Sequence, residues 1–351
     1  MKTDTENLTL LRPAGADIAV VILNWNGRRL LEEFLPSVVA ASSPRACIAV
    51  ADNGSTDDSL EWLAANYPDV GRIRFAENHG FAEGYNHVAD IVAVAGFPYL
   101  LLLNSDVAVT PGWIDTLYDF MQTHPDVGAC QPKLRAYRDK TSFEYAGASG
   151  GFIDRNGYPY CRGRIFDTCE TDTGQYDEPM TVDWASGAAL LVRTELYQKA
   201  GGLDSSFFAH MEEIDLCWRI RRMGYKIAVV PSAVVYHLGG GSLPPSDPRK
   251  TYLNFRNNLL MLYKNLPARG RTRRLIWRRI LDTAAWARFL ASGQWGSASA
   301  IVRAHRDFSR MSRDINPRPA ADGTGSDTRD RPDILVEYYL KGVRKFSDLK
   351  H

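Results

Sequence analysis

The sequence is short of cysteine, of long apolar runs and of net charge, and each shortage excludes a class of protein. Its 351 residues balance 42 Lys and Arg against 41 Asp and Glu, so the net charge of +1 gives no sign of a nucleic-acid partner. The five cysteines are odd in number and show no C-x-x-C spacing. That usage favours reduced thiols over a disulfide or zinc framework.

The apolar segments exclude a membrane span and a secretory leader. The longest, residues 91–103, is too short to cross a bilayer and contains Gly96 and Pro98. The N-terminus carries Asp4 and Glu6 where a signal peptide would need an apolar stretch. We therefore expect a cytoplasmic protein that is soluble or lies at a membrane surface.

Apolar segments alternate with amphipathic ones in the first third of the chain. Four segments have the composition of buried strands, and a helical pattern follows each of the first three, with Asp57 as the expected N-cap of the second helix. This alternation predicts an α/β fold with a doubly wound parallel sheet, whose ligand loops gather at one edge. The expected strands are residues 18–23, 47–51, 73–75 and 99–103.

The fourth of these strands ends in a carboxylate. Five apolar residues run directly into Asn104-Ser105-Asp106, at the edge where open α/β sheets bind ligands. A lone buried carboxylate is costly, and a divalent cation that joins it to a phosphate offsets the cost. We expect Asp106 to bind a metal that carries a nucleotide diphosphate.

The second half of the chain is less regular. Residues 132–183 are rich in Gly, Tyr and Arg and predict a long irregular insertion. Beyond residue 248 the pattern is helical. The remaining expected elements are strands at 188–192, 225–230 and 234–236, a linker at 316–333 and a short terminal helix at 334–346.

Ten arginines lie between residues 269 and 310, against Asp282 and Asp307 alone. Two interpretations stay open. The arginines form a solvated face whose apolar stripe packs on the domain, or they bind anionic lipid together with Trp277, Trp286 and Trp295.

Taken singly, the candidate chemical residues have ordinary structural explanations. A strand-end Asp can cap a helix, and acidic residues at a helix start complement its dipole. Their order is more informative. Strand-end acids, a later acidic cluster and a strand-end His before glycines are the groups that metal-assisted transfer from a nucleotide donor requires.

At this point the chain resembles the inverting glycosyltransferases of family 2, with the GT-A fold, and within them the rhamnosyltransferase-like branch. The resemblance covers about residues 18–258. The matching blocks, in order, are residues 21–26, 52–57, 78–82, 103–106, 184–187, 212–219, His237 with its glycines, and 256–257.

The resemblance implies a donor site and a metal site. Asp106 and His237 would hold Mg²⁺ or Mn²⁺, although Asn104 replaces the first Asp of the family's Asp-x-Asp and is a weaker ligand. The donor would be a dTDP- or UDP-sugar, with rhamnose as the first sugar expected. Its contacts would be Asn24, Asp52, Asp57, Asn78, Gly80, Asn104, Ser105 and Asp106.

The resemblance also implies a general base and an acceptor side. Glu213 would be the base, with Glu212 as the second candidate. Trp184 fits either stacking on a sugar or a place in the core. The residues expected on the acceptor side are Trp184, Ser186, Gly187, Asp215 and Arg219.

These inferences give one preferred function and two rivals. We expect a glycosyltransferase domain at 1–245, a basic helical extension at 246–315, and a linker with a terminal helix at 316–351. The enzyme would act on a polyprenyl-linked or surface glycan, peripheral to the inner face of the plasma membrane. The rivals are a non-catalytic glycan-binding or scaffold protein on the same fold and a sugar-phosphate nucleotidyltransferase, whose Gly-rich phosphate loop is lacking after the first strand.

Overall fold

A nine-stranded mixed sheet with helices on both faces organises the protein. The computed structural model describes residues 14–239, 247–315, 328 and 330–349. The strands in this part of the chain are β1 (Ile18–Asn24), β2 (Ala46–Asn53), β3 (Gly71–Phe75), β4 (Tyr99–Asn104), β5 (Val107–Val109), β6 (Val127–Ala136), β7 (Gly151–Ile153), β8 (Pro159–Cys161), β9 (Arg164–Ile165), β10 (Thr168–Cys169), β11 (Met180–Val182), β12 (Ala189–Arg193) and β13 (Lys226–His237). The helices are α1 (Arg28–Ala40), α2 (Ser59–Asn66), α3 (Gly80–Val94), α4 (Trp113–Thr123), α5 (Thr194–Lys199), α6 (Glu212–Arg222), α7 (Pro248–Asn265), α8 (Ala268–Ala291) and α9 (Trp295–Met311).

The first four long strands form the parallel half of the sheet. The order is β3-β2-β1-β4, and every pair is parallel, as the alternation predicted. Beyond β4 the sheet is mixed, because β12 runs antiparallel to both β4 and β6. The register opposes Asn24 to Asp52 and Leu23 to Asn104, so the polar strand ends meet at one edge.

The strand β4 is buried on both faces and divides the core in two. Leu100 and Leu102 pack on the side of α3, whereas Leu101 and Leu103 pack on the side of α1 and α4. Side chains alternate between the faces of a strand, so a continuous apolar run is what a central strand needs. Burying each leucine contributes about 2 kcal/mol before its entropy cost.

The expected irregular insertion at 132–183 is more ordered than its sequence indicates. Its start completes β6, its end adds β11 to the main sheet, and the middle forms a separate four-stranded sheet in the order β10-β9-β8-β7. Those four strands are two or three residues long. Strands that short carry no recognisable period of two, which is why the pattern looked irregular.

Three other boundaries differ from expectation. The segments at 225–230 and 234–236 are one strand, β13, with a register shift between Val230 and Val234 where Pro231 cannot donate. The helix α2 begins at Ser59, after Asp58 rather than Asp57. The expected terminal helix is only a π-helical turn, Val336–Leu340, and a 3₁₀ turn, Phe346–Asp348, while residues 316–327 of the linker lie outside the described residues.

The last three helices form a layer that is fastened to α6 by a buried ionic network. Asp215 accepts from Arg219 Nε at 2.8 Å, from Lys264 Nζ at 2.9 Å and from Asn265 Nδ2 at 2.6 Å. Lys264 also pairs with Asp204. Arg219 and Asp215 belong to α6, and Lys264 and Asn265 end α7, so the network joins the extension to the sheet domain.

Among the described residues, the helices are too short or too polar to cross a bilayer.

Substituting Asp215 tests this junction. Asp215→Ala leaves the buried cations Arg219 and Lys264 without their shared carboxylate, so we expect the free energy of unfolding to fall by about 3–5 kcal/mol. Urea unfolding followed by circular dichroism measures it. Glu195→Ala, which removes an exposed pair with Lys199, is the control and should leave the stability close to that of wild type. Equal losses in the two variants would contradict the network's role.

Candidate active site

The loops after β1 and β2 are tied together by side chains at the strand ends. Asn24 Nδ2 donates to Asp52 Oδ1 at 3.1 Å, and Ser55 N donates to Asp52 Oδ2 at 3.0 Å. Asp57 accepts from the main-chain N of Arg28 at 3.1 Å and from that of Ser59 at 3.2 Å. Asn24, Asp52 and Asp57 are therefore brought together, as expected for one binding loop pair.

A second set of contacts joins the loop after β3. Asn53 Nδ2 donates to Asn78 Oδ1 at 3.0 Å and to the main-chain oxygen of Gly80 at 2.9 Å. Gly80 has φ +76°, a left-handed conformation that favours glycine. Asn78 and Gly80 thus lie beside Asp52 at the edge, and Asn53, which the sequence analysis did not name as a site residue, is the residue that links them.

Strand pairing brings Asp106 and His237 together. Asn104 and Ser105 precede Asp106 in the connection to β5, and β5 pairs antiparallel with β13 so that Val107 opposes His237. His237 Nε2 then lies 3.1 Å from Asp106 Oδ1 and 3.4 Å from Asn104 Nδ2. Two segments far apart in sequence supply this pair, as the sequence analysis expected.

Glu144 is a functional candidate that the sequence analysis missed. It is buried, lies in the turn after β6, and its Oε1 is 3.3 Å from His237 Nδ1. No motif or strand-end position marks it, because only the folded turn brings it to His237. Burial alone lowers the pKa of His237, but the carboxylates of Glu144 and Asp106 outweigh burial and raise it to about 10.

The donor set here suits a divalent cation carried by phosphate. Asp106 offers a carboxylate oxygen and His237 an imidazole Nε2, while Glu144 lies behind Nδ1 in the arrangement that orients metal-binding histidines. In the described part of the chain, no cluster of three or more His, Cys, Asp or Glu is placed to hold a metal. The protein would therefore contribute two ligands, which leaves positions for phosphate and water.

The two glutamates at the start of α6 differ in exposure. Glu212 is buried and Glu213 is partly exposed, and neither Oε2 has a hydrogen-bond partner among the described residues. Burial raises the pKa of Glu213 to about 7. Burial and the adjacent Glu213 charge raise the pKa of Glu212 well above its usual range. Of the two, Glu213 is the residue with a partly exposed side chain, although its Oε2 is buried.

The segment before these glutamates has an unfavourable backbone held by α7. Phe208, His210 and Met211 all have positive φ, at 67°, 69° and 75°. Asn257 Nδ2 donates to the main-chain oxygens of Ala209 and His210, each at 2.8 Å, and Arg256 holds Phe207 O at 2.8 Å. Left-handed conformations outside glycine persist only when their surroundings fix them, so the Arg256-Asn257 block fixes the entry to Glu212 and Glu213.

Most residues expected on the acceptor side are buried. Trp184 donates through Nε1 to Phe152 O at 3.0 Å inside the core, so its indole is not available to stack on a sugar. Asp215 and Arg219 belong to the ionic network, and Ser186 is buried with its main-chain N on Gln131 Oε1 at 2.8 Å. These four residues therefore have structural contacts in the described part of the chain, and their place on an acceptor side stays a prediction.

Gly187 is the exception. A Cβ there would lie 3.6 Å from Glu213 Cβ, so Gly187 borders the exposed glutamate.

Comparison with known proteins finds a matching family model and related sequences. The family model described as "Glycosyltransferase like family 2" matches residues 13–257. The N-acetylglucosaminyl-diphospho-decaprenol L-rhamnosyltransferase of Mycobacterium tuberculosis is 30% identical over 233 residues, which are 63% of this chain and 75% of that protein. The low-salt glycan biosynthesis hexosyltransferase Agl10 of Haloferax volcanii is 24% identical over 70% of this chain and 75% of its own.

Solved structures agree on the fold. S. aureus TarS in complex with UDP-GlcNAc aligns with a TM-score of 0.55 at 14% identity, over 84% of this chain and 81% of that one. The mannosyltransferase PcManGT of Pyrobaculum calidifontis, in complex with GDP-Man and Mn²⁺, aligns with a TM-score of 0.52 at 14% identity, over 86% and 84%.

The glutamate pair predicts a pH-dependent stability difference. Because the folded state raises the pKa of Glu213 from 4.5 to about 7, it holds this proton more tightly than the unfolded state does. The stabilisation is present below pH 4.5 and is lost as the pH rises through 7. Glu213→Gln should therefore raise Tm relative to wild type at pH 8, by about 2–4 °C for each kcal/mol recovered, and give no gain at pH 5.

Thermal unfolding at both pH values measures the difference. Burial also raises the pKa of Asp154 to about 7, but this group contributes equally to both proteins. Exposed Glu195→Gln is the control. A Glu213→Gln effect of equal size at pH 5 and pH 8 would contradict the raised pKa.

Proposed function

The chain belongs to glycosyltransferase family 2, and from this premise we propose that it moves a sugar from a nucleotide-diphosphate donor to a hydroxyl of a lipid-linked or surface glycan, with inversion at the anomeric carbon. The observation that carries the proposal is the separation of two kinds of carboxylate at one sheet edge. Asp106 is paired with a cationic His237, whereas Glu213 is partly exposed and has no cationic partner among the described residues.

The joined loops after β1, β2 and β3 suit the nucleoside end of the donor. Asp52 and Asn24 present fixed polar groups at the mouth of β1 and β2, and Asn24 Oδ1 is buried without a hydrogen-bond partner among the described residues. A buried acceptor of this kind is costly unless a ligand donor satisfies it. Asp57 and Asn78 would support this contact by holding their loops.

The diphosphate end would lie at Asp106 and His237. These residues would hold Mn²⁺ or Mg²⁺, and a bound divalent ion stabilises the negative charge that develops on the departing diphosphate. The mixed oxygen and nitrogen donor set suits Mn²⁺ at least as well as Mg²⁺. Glu144 keeps His237 oriented from its other nitrogen. Asn104 ends β4, and Ser105 and Asp106 form the turn that leads to β5.

Glu213 would serve as the general base. Its carboxylate takes the proton of the acceptor hydroxyl while that oxygen bonds to the anomeric carbon, and the bond from this carbon to the diphosphate oxygen breaks on the opposite side. A pKa of about 7 suits a base at neutral pH, since the group is ionised in a large fraction of molecules and still accepts a proton. The Arg256-Asn257 block would position it through the segment before α6.

The substrates are proposed from the relatives. The mycobacterial relative is named for transferring rhamnose to a sugar on a polyprenyl diphosphate, which supports a deoxyhexose donor and a lipid-linked acceptor here. dTDP-rhamnose is the first donor to test. The archaeal relative, a glycan biosynthesis hexosyltransferase, supports cell-surface glycan assembly more generally. A lipid-linked acceptor would bring the protein to the inner surface of the plasma membrane.

Donor binding tests the metal site. We expect one nucleotide sugar from a panel of dTDP-rhamnose, UDP-GlcNAc and GDP-mannose to raise Tm in the presence of Mn²⁺, since a ligand at a hundred times its Kd adds about 2.7 kcal/mol. Asp106→Ala should lose the metal-dependent part of this shift. Asp119→Ala, at an exposed carboxylate paired with Arg45, is the control. An unchanged metal-dependent shift in Asp106→Ala would remove Asp106 from the metal site, and no shift with any donor would count against a nucleotide sugar.

Turnover tests the base. Glu213→Gln should reduce the release of nucleoside diphosphate in the presence of acceptor by at least about 100-fold, because the amide cannot take the proton. Donor binding by thermal shift should stay within about twofold. The matched control is Glu212→Gln, which should keep most of the activity because Glu212 is buried. Full activity in Glu213→Gln would refute the assignment, and loss only in Glu212→Gln would exchange the two roles.

A further inference from the structure

We propose that the outer face of α8 is a docking surface for an anionic lipid bilayer, and that it holds the active site against the membrane. The inference rests on the proposed lipid-linked acceptor for its purpose, but on the helix itself for its chemistry. The docking face is defined by the exposed residues Arg273, Ile276, Trp277, Ile280, Ala284, Ala287 and Arg288.

The apolar residues of α8 face solvent rather than the protein. Ile276, Trp277 and Ile280 are 56%, 49% and 54% exposed. The buried residues of the same helix are instead Leu275, Arg278 and Asp282. The apolar stripe, which one of the two open interpretations packed on the domain, therefore points outward, and three large apolar side chains at helical spacing share one unpartnered face among the described residues.

The acidic residues of the region turn inward. Asp282 is fully buried between Arg278 Nε at 2.9 Å and His305 Nε2 at 3.0 Å. Asp307 of α9 accepts from the Tyr252 hydroxyl at 2.8 Å. Asp307 also lies 3.5 Å from both Arg306 and Arg310, so opposing charge is low on α8 but not at the end of α9.

The arginines of this region that lack a carboxylate partner are exposed. Arg269, Arg273 and Arg303 have no carboxylate within ion-pair distance in the described part of the chain. An apolar face flanked by unpaired cations is complementary to the boundary between acyl chains and anionic headgroups.

The docking face continues toward the active site. The turn from α8 to α9 is exposed throughout and ends at Trp295, which is 68% exposed. The next residue, Gly296, lies so close to Pro248 at the start of α7 that a Cβ there would be 2.8 Å from its Cγ. Arg249 follows and stacks on Phe208, whose ring faces Gly80 in the donor loops. A membrane under α8 and Trp295 would thus reach the edge of the site.

A second copy of the chain fits this face less well than lipid does. A two-fold interface would bring Arg273 and Arg288 of both copies to the same patch, and the docking face contains no acidic residue to pair with them. Like charges at a desolvated contact oppose association. Anionic lipid supplies the missing negative charge.

Vesicle binding tests the surface without donor or acceptor. We expect wild type to co-sediment at low salt with vesicles of phosphatidylcholine and phosphatidylglycerol, and much less with phosphatidylcholine alone. The triple variant I276S, W277S, I280S should partition at least about tenfold more weakly into the mixed vesicles. Arg273→Glu should weaken the binding and flatten its salt dependence. Val94→Ser, at a 91% exposed site on α3, is the matched control and should bind like wild type.

Three results would overturn the proposal. Wild type that ignores the mixed vesicles at low salt, or a triple variant that binds them equally well, would exclude α8 as the docking surface. Wild type that sediments as a dimer in solution and dissociates in the triple variant would assign the face to a second copy. Donor binding by thermal shift in the same variants separates the two proposals, because it should stay unchanged whether or not the vesicle result holds.

Discussion

The ion pair between Asp106 and His237 is the contact on which the site depends. It exists because β5 crosses to pair with β13, which places the end of one strand beside the turn after another. A buried carboxylate and a buried imidazolium are each costly alone. Here Glu144 places a second carboxylate beside the same imidazole ring. The cluster carries one more negative charge than positive. A divalent cation bound there, as proposed above, would replace a proton on His237.

The two glutamates at the start of α6 lie in the opposite electrostatic environment. Glu212 and Glu213 have no cation in contact among the described residues, so burial raises the pKa of both carboxyls. The Asp106 end of the site therefore favours ionised side chains, and the glutamate end favours protonated ones, although both belong to one sheet edge. In the proposed function, this division would separate stabilisation of the leaving group from proton transfer. The glutamate end of the site also carries a cost in backbone strain. The segment before Glu212 has left-handed conformations, and Asn257 holds it in place.

The structural features that the sequence predicted are those that a single local rule determines. Central strands read as apolar runs, and a polar residue directly after such a run lies at the carboxyl edge, so the places of Asp52 and Asp106 followed from β2 and β4 alone. Glu144 could not be found this way. It lies in the connection between β6 and β7, where no periodic pattern marks a buried position. The acidic residues of α6 show a second limit. Spacing alone does not tell that Asp215 faces Lys264 inside the protein while Glu213 faces the site.

The helix α7 explains why the basic extension is more than an appendage. Its first turn contacts Gly296 and, through Arg249, the ring of Phe208, its middle fixes the segment before the glutamates, and its last turn closes the ionic network with α6. The division expected at residue 245 therefore runs through contacts that the base requires. A chain cut there would lose the Arg256-Asn257 block along with the lipid-facing helices. In the two proposals made above, α7 lies between the helix that would face lipid and the segment that would position the base, which gives one physical reason for the extension to follow the sheet domain directly.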